Sequence, residues 1–345
     1  MLIELRMSAT RAELKDRILR EGSQLLAAWI GPDYIKQQIL AVLLAGKNLL
    51  LEGPPGSGKT LIARELAKAL PPMEAIDCDF NCLPEKPSCP QCMSCTAGGG
   101  EAGKVVTVPG NRRFVRIQGS PEITAEDLVG DIDPVSAFKY GPFDARSFRP
   151  GKIIKANRKI LFVDEINRIP ERLQNTLLQM LQEGIVTVGS FDLEFAVDTV
   201  FIATMNPEEQ AGVYRISEAL KDRLEKVRIS YPTHEQELKI MSMYGNSLGV
   251  TVPERVRAKM VEVVQKTRND KNVEQPASVR ATLTIYELSQ SFTLLRKEST
   301  ASLGDVHNAA EVALKGRVTL LPDSEFYDQQ DKYIIDMIGN ALGTG

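Results

Sequence analysis

The stretch GPPGSGKT, residues 53–60, constrains this 345-residue chain more than any other. It follows NLLLE (48–52), a short apolar run that reads as a buried strand, and precedes LIARELAKAL, a helical pattern stopped by Pro71 and Pro72. Between a strand and a helix, G-x-x-x-x-G-K-[ST] lets glycine backbone bend around phosphates, with amide N–H groups and the positive helix end turned to the anion. Gly53, Pro54, Pro55, Gly56, Ser57 and Gly58 would form that cradle. Lys59 would reach the β- and γ-phosphates, and the Thr60 hydroxyl would ligate Mg²⁺.

A site that hydrolyses a nucleotide needs a carboxylate at the end of a neighbouring strand. KILFVDE (159–165) is an apolar strand ending in two acids, of which Asp164 would hold the Mg²⁺ shell and Glu165 would orient or activate the attacking water. TVFIATMNP (199–207) is another buried strand, and it ends in Asn206. In open α/β sheets ligands bind beside the carboxyl ends of strands, so Asn206 could position the water or sense the γ-phosphate. Between the two strands, IPERLQNTLLQMLQEG (169–184) carries Leu173, Leu177, Met180 and Leu181 on one helical face, a core stripe with no chemical role. IVTVGSFDLEFAV (185–197) alternates around a Gly-Ser turn and reads as a β-hairpin.

Composition excludes several alternatives. With 43% hydrophobic and 25% charged residues, and 42 basic against 45 acidic side chains, the chain is that of a globular protein of about two domains, with no global pull toward nucleic acid or anionic membrane. The best local basic patch, GNRRFVR (110–116), reads as a solvated strand edge or loop. Residues 1–22 lack the apolar core of a targeting signal, and no apolar run approaches the ~18 residues of a membrane span. A cytoplasmic location follows as the expectation, and stable disulfides are rare there. Upstream of the cradle, Leu14, Ile18, Leu25 and Trp29 recur at helical spacing until Gly31 and Pro32, and a second apolar helix runs from about Tyr34 to Ala45.

Taken together, GPPGSGKT, ILFVDEINRI, LLQMLQEGIVTVG, FIATMNPEEQ and ISEALKDRLE resemble an AAA+ ATPase, of the branch holding MoxR ATPases and magnesium chelatase subunit I. EDLVGDIDPVSAF, FRPGKIIKANRKILFVDE and a cysteine-bearing insert after the cradle helix tilt toward the chelatase side. The resemblance covers about residues 30–320. It implies an α/β fold: a P-loop core of αβα layers on a mostly parallel sheet, with inserted hairpins and a C-terminal α-helical lid. By that resemblance Lys59 and Thr60 match Walker A, Asp164 and Glu165 match Walker B, and Asn206 matches the sensor 1 asparagine. Arg223, in LKDRLE, matches the arginine finger that reaches a neighbouring subunit's site, and Arg280, in PASVRATLTIYEL, matches the sensor 2 arginine. A guanidinium is always charged and donates in a fork, which suits charge developing on a γ-phosphoryl group.

The resemblance further implies ATP with Mg²⁺, a homo-oligomeric ring (a hexamer), and a separate partner protein carrying a von Willebrand factor A domain. It makes 131–151 a hairpin inserted into a helix. The core would span 1–231 and the lid 232–345, with TAGGGEAGK (96–104) a flexible loop. The expected work is remodelling or activating a partner: metal insertion into a tetrapyrrole in the chelatase version, metal loading or chaperone-like activation in the MoxR version. Two competitors remain open, a helicase-like nucleic-acid motor and a nucleotide-gated scaffold with little turnover. The first would need basic hairpins, whereas 131–151 balances Lys139, Arg146 and Arg149 with Asp131, Asp133 and Asp144.

All five cysteines fall within residues 78–95, as Cys-x3-Cys-x6-Cys-x2-Cys-x2-Cys with Pro84, Pro87 and Pro90 interleaved. The C-x2-C pair after a prolyl turn resembles a zinc knuckle, and a structural Zn²⁺ held by four thiolates would fold a loop poor in apolar residues. An iron–sulfur cluster, a redox thiol pair and unligated thiols are the alternatives. The only histidines, His234 and His307, lie outside the stretch, leaving thiolate-only ligation. Because chelatase-like inserts carry similar spacing, Cys78, Cys82, Cys89 and Cys92 are the first ligand set, with Cys95 a spare thiol or an alternate to Cys92.

Overall fold

The structure, a computed structural model, describes residues 8–97, 100, 103–188, 193–207 and 213–343. The Gly-Ser turn expected at 189–190 and residues 98, 99, 101 and 102 of the loop expected at 96–104 lie outside these residues, while Thr96 and Ala97 end a helix, Pro90–Ala97. The chain forms two compact units, Met1–Gly53 with Gly58–Ile229, and Pro54–Ser57 with Ser230–Gly345.

The first unit is built on a five-stranded parallel sheet of β1 (Asn48–Glu52), β2 (Phe114–Gln118), β3 (Lys159–Asp164), β4 (Thr199–Met205) and β5 (Leu224–Arg228), in the order β5-β1-β4-β3-β2. Side chains alternate between the two faces of a strand, and both faces here are covered. Leu49, Leu51, Ile160, Phe162, Val200 and Ile202 pack on one side. There they meet α1 (Ala9–Glu21), α2 (Asp33–Leu44) and α3 (Lys59–Ala69). Leu50, Leu161, Val163, Phe201 and Ala203 pack on the other with the Leu173, Leu177 and Met180 stripe of α4 (Glu171–Glu183). An α/β P-loop core is therefore the observed fold.

Four sequence expectations change. The helical spacing from Leu14 to Trp29 is broken at Gly22, whose φ of 53° closes α1 before a 3-10 turn over Gly22–Leu26. In GNRRFVR, Arg113 is 1% exposed rather than solvated. It donates to the carbonyls of Pro71 (2.8 Å) and Arg158 (2.8 and 3.0 Å) and pairs with Glu13 at 2.6 Å. A buried guanidinium so satisfied is a structural clamp between α1 and the edge of β2. Arg113→Ala leaves Glu13 and two carbonyls unpaired, and chemical denaturation is expected to find the first unit about 3–5 kcal/mol less stable.

The 131–151 insertion is more than a hairpin. Strands Gly130–Ile132 and Phe148–Pro150 pair antiparallel, and between them stand a helix, Pro134–Tyr140, and a 3-10 turn, Ala145–Ser147. Asp133 caps the helix by accepting from Ser136 N, Pro134 opens it, and Gly141 at φ 97° ends it.

The second unit is helical: α5 (His234–Tyr244), α6 (Glu254–Arg268), α7 (Val279–Leu295), α8 (Leu303–Lys315) and α9 (Gln330–Leu342). Met241, Met260, Ile285, Val306 and Ile334 lie in its core. Thr233 with Gln236, and Ser302 with Asp305, form capping boxes at the starts of α5 and α8. A small antiparallel pair, Val273–Gln275 with Thr319–Leu320, departs from the all-helical expectation for this region.

Candidate active site and thiol cluster

Because β1, β3 and β4 are parallel and in register, their carboxyl ends open on one edge. Glu52 stands beside Met205, and Gly53 N donates to Met205 O at 3.1 Å. Glu52, buried beneath the loop, pairs with Lys226 (3.0 Å) and Arg228 (2.9 Å). The chain then turns through residues 53–58 into α3. Gly58 has φ 85°, and a Cβ there would stand 2.7 Å from the indole of buried Trp29, so both conformation and space demand glycine. Lys59 Nζ donates to Gly53 O at 2.7 Å, which holds the cation at the mouth of the cradle, and Thr60 follows on the first turn of α3.

The acids at the end of β3 are held by groups that no motif announced. The buried Thr204 hydroxyl donates to Asp164 (2.6 Å) and accepts from Glu165 N (2.9 Å), fixing both residues against β4. Arg116 donates to the other Asp164 oxygen and to Gln118, both at 2.5 Å, and Gln118 Nε2 donates to Glu165 Oε2 at 3.1 Å. Arg168 pairs with the same carboxylate at 3.3 Å. Glu165 adopts a left-handed backbone, φ 54° and ψ 57°, a strained conformation of the kind retained at functional sites. The strand register assembles this shell: Gln118 stands directly beside Asp164 across β2 and β3. A Glu165 that served an attacking water would first leave Gln118, so on that reading Gln118→Ala is expected to raise basal turnover about two- to tenfold, the worth of one exposed hydrogen bond. Steady-state ATPase assays would read it.

Asn206 follows β4 directly, on the edge shared by Asp164 and the cradle. Arg223 lies at the opposite edge. It precedes β5, its carbonyl accepts from Asn48 Nδ2 at 3.1 Å, and its side chain donates to Ala219 O at 2.9 Å. Asn48 is the first residue of β1 and the cradle follows the last, so five strand residues, about 16 Å, separate Arg223 from its own chain's cradle. Arg280, in the second unit, is exposed on the first turn of α7.

Within the first unit, the Sγ atoms of Cys78, Cys82, Cys89 and Cys92 lie within 4.8 Å of one another, whereas Cys95 is exposed. Backbone amides of Ser88 (3.4 Å) and Cys89 (3.3 Å) point at Cys82 Sγ, and that of Cys92 at Cys89 Sγ (3.4 Å). Hydrogen bonds from the Cys78 and Cys89 thiols pull Cys82 well below the usual thiol range. Its neighbours move the other way: hydrogen bonding to Cys78 and Cys82 raises Cys89, and burial pushes Cys92 up to about 12. Four sulfurs this close resist joint ionisation unless a cation joins them. The cluster packs with Phe80, Phe148 and Phe195, and Gln91 Nε2 donates to the carbonyls of Arg146 (3.1 Å) and Phe148 (3.3 Å).

A phosphate cradle, paired strand-end acids and a β5-β1-β4-β3-β2 parallel sheet define an AAA+ ATPase, and comparison with known proteins agrees. Residues 102–225 match the family described as ATPase family associated with various cellular activities (AAA), and residues 27–79 match magnesium chelatase, subunit ChlI. By these matches the chain is related to the MoxR ATPases and to magnesium chelatase subunit I. It is 29% identical to the uncharacterized protein YeaC of Bacillus subtilis over 88% of this chain and 87% of that one. It is 29% identical to the chaperone MoxR1 of Mycobacterium tuberculosis over 65% of this chain, spanning 46% of that protein. A magnesium-chelatase subunit ChlI homolog of Methanocaldococcus jannaschii is 23% identical, with 86% and 85% of the two chains covered. In fold alone it is similar to a RuvB mutant of Thermotoga maritima, with a TM-score of 0.51 at 14% identity over 83% of this chain and 71% of that one. Among the described residues no helix is long and apolar enough to cross a membrane.

Proposed function

We propose that the chain is an ATP-hydrolysing subunit of a ring, a hexamer, in which one copy holds the nucleotide and the next completes the site, and that turnover remodels or activates a separate partner protein. The observation that carries this reading is the place of Arg223 at the sheet edge away from its own cradle. A cation there serves a nucleotide only on another copy, and a heterologous contact of that kind makes a ring where its rotation closes. Within one copy, residues 53–58 and Lys59 bind the phosphates, and Thr60 and Asp164 hold Mg²⁺, which supplies charge neutralisation. Thr204 and Arg116 orient Asp164, Glu165 and Asn206 position the water, and Arg280 meets the γ-phosphate.

The four buried thiols suit one structural Zn²⁺. Tetrahedral zinc at ~2.3 Å sets its sulfurs about 3.8 Å apart, within the observed spread, whereas a four-iron cluster would hold them wider. Partner contact is supported by the 131–151 insertion, where Val135, Phe138 and Phe143 are 78%, 96% and 88% exposed. Two of its three cations are engaged internally, Arg146 with Asp144 at 2.6 Å and both Arg146 and Lys139 over Tyr140, which disfavours phosphate tracking. A partner with a von Willebrand factor A domain, in a cytoplasmic machine that loads metal into a client or a tetrapyrrole, fits the branch. ATPase assays over a protein concentration series test the reading: specific activity is expected to rise steeply with concentration, and a flat profile overturns it.

A further inference from the structure

Arg280 is exposed on the second residue of α7, yet the turn that carries it is fixed by a buried polar network. Pro54–Ser57 of the phosphate loop cluster with the helical unit, and a Cβ on Gly56 would stand 3.0 Å from Ser278 Cβ and 3.5 Å from Val279 N. The start of α7 thus lies directly against the loop. Its own placement depends on α5 and α6. Thr267 Oγ1 accepts from Ala277 N at 3.0 Å, and Arg268 Nε donates to Ala277 O at 3.1 Å, so the residue before the helix cap is held on both its backbone groups.

Arg268 then forks onto Glu237 of α5, Nη1 at 2.8 Å and Nη2 at 2.9 Å, and stacks over Tyr231 at 4.4 Å. Glu237 is fully buried, and its Oε1 also accepts from the buried hydroxyl of Thr282. Helix positions two apart lie about 200° around the axis, so the inward anchor at Thr282 turns Arg280 outward. A buried carboxylate receiving three donors from two other helices has one fixed geometry, and the turn bearing Arg280 inherits it.

We propose that Glu237, Arg268 and Thr282 are positioning residues for Arg280, setting its approach to the γ-phosphate, a role that rests on the reading of Arg280 given above. A network that merely stabilised the helical unit would not distinguish ATP from ADP, and its loss would add to the loss of Arg280. The test therefore measures ATP turnover, ATP and ADP affinity and thermal unfolding for Thr282→Val, Arg268→Lys and Arg280→Ala, and for Thr282→Val and Arg268→Lys each combined with Arg280→Ala. The first removes one hydroxyl at constant shape; the second keeps the charge but loses the fork.

Each is expected to lower turnover about 3- to 30-fold and to weaken ATP but not ADP. Neither should add any loss in the Arg280→Ala background, although both proteins still unfold cooperatively. Equal loss with and without Arg280, or equal weakening of ATP and ADP, overturns the proposal. Normal turnover in Arg280→Ala itself removes the underlying reading instead, and the two failures are thereby told apart.

Discussion

Glu165→Gln is expected to lower ATP turnover by about 10²–10⁴-fold while leaving ATP binding intact. The amide keeps the size of the side chain and can still meet Gln118, but it can no longer orient a water as a carboxylate does. In the proposed site, phosphate binding rests on other groups, the 53–58 loop and Lys59, which the substitution does not touch. Equilibrium binding of ATP beside steady-state hydrolysis separates the two. A variant that hydrolyses at the normal rate would remove Glu165 from the chemistry, and one that fails to bind would make it a structural residue of the cradle.

Stripping the zinc proposed for the four thiols is expected to have the largest effect on structure. Structural zinc sites contribute about 10–16 kcal/mol of apparent binding energy, most of it folding energy. Here the buried thiols sit in the same apolar cluster as Phe80, Phe148 and Phe195, whose rings stand 5.1–6.3 Å apart. Phe148 begins the closing strand of the 131–151 insertion, and Phe195 lies in the second strand of the hairpin formed by Ile185–Val188 and Leu193–Ala196. Removing the ion, or making Cys82→Ser, leaves buried sulfurs without a joint partner and frees both elements. Metal analysis should find about one zinc per chain before and none after, and hydrogen exchange should accelerate at 130–132, 148–150 and 193–196 while β1, β3 and β4 stay protected. Unchanged exchange in those segments would make the cluster a metal site without a structural role.

Much of this was legible because the relevant chemistry is local in sequence. NLLLE and KILFVD fold as β1 and β3 along their apolar runs, and the cradle and paired acids are contiguous motifs. The capped helix 134–140 is also marked locally, by Asp133 and Pro134 at its start and Gly141 at its stop, although the hairpin expectation leaves it out. What remained illegible depends on strand order. Thr204 and Gln118 reach Asp164 and Glu165 from neighbouring strands, and nothing local in either strand distinguishes them from ordinary strand residues. The burial of Arg113 is hidden for the same reason: it follows from Glu13, Pro71 and Arg158, far away along the chain. The edge at which Arg223 stands also emerged only once β5 was seen to pair with β1.

Mixing Lys59→Ala and Arg223→Ala proteins tests the intersubunit site most directly, because each variant retains the half that the other lacks. Each alone is expected to be nearly inactive, and an equimolar mixture should recover activity, up to about a quarter of wild type if subunits pair at random around a head-to-tail ring. An Arg223→Ala protein that hydrolyses ATP normally by itself, or a mixture no more active than its parts, would contradict a site built between copies.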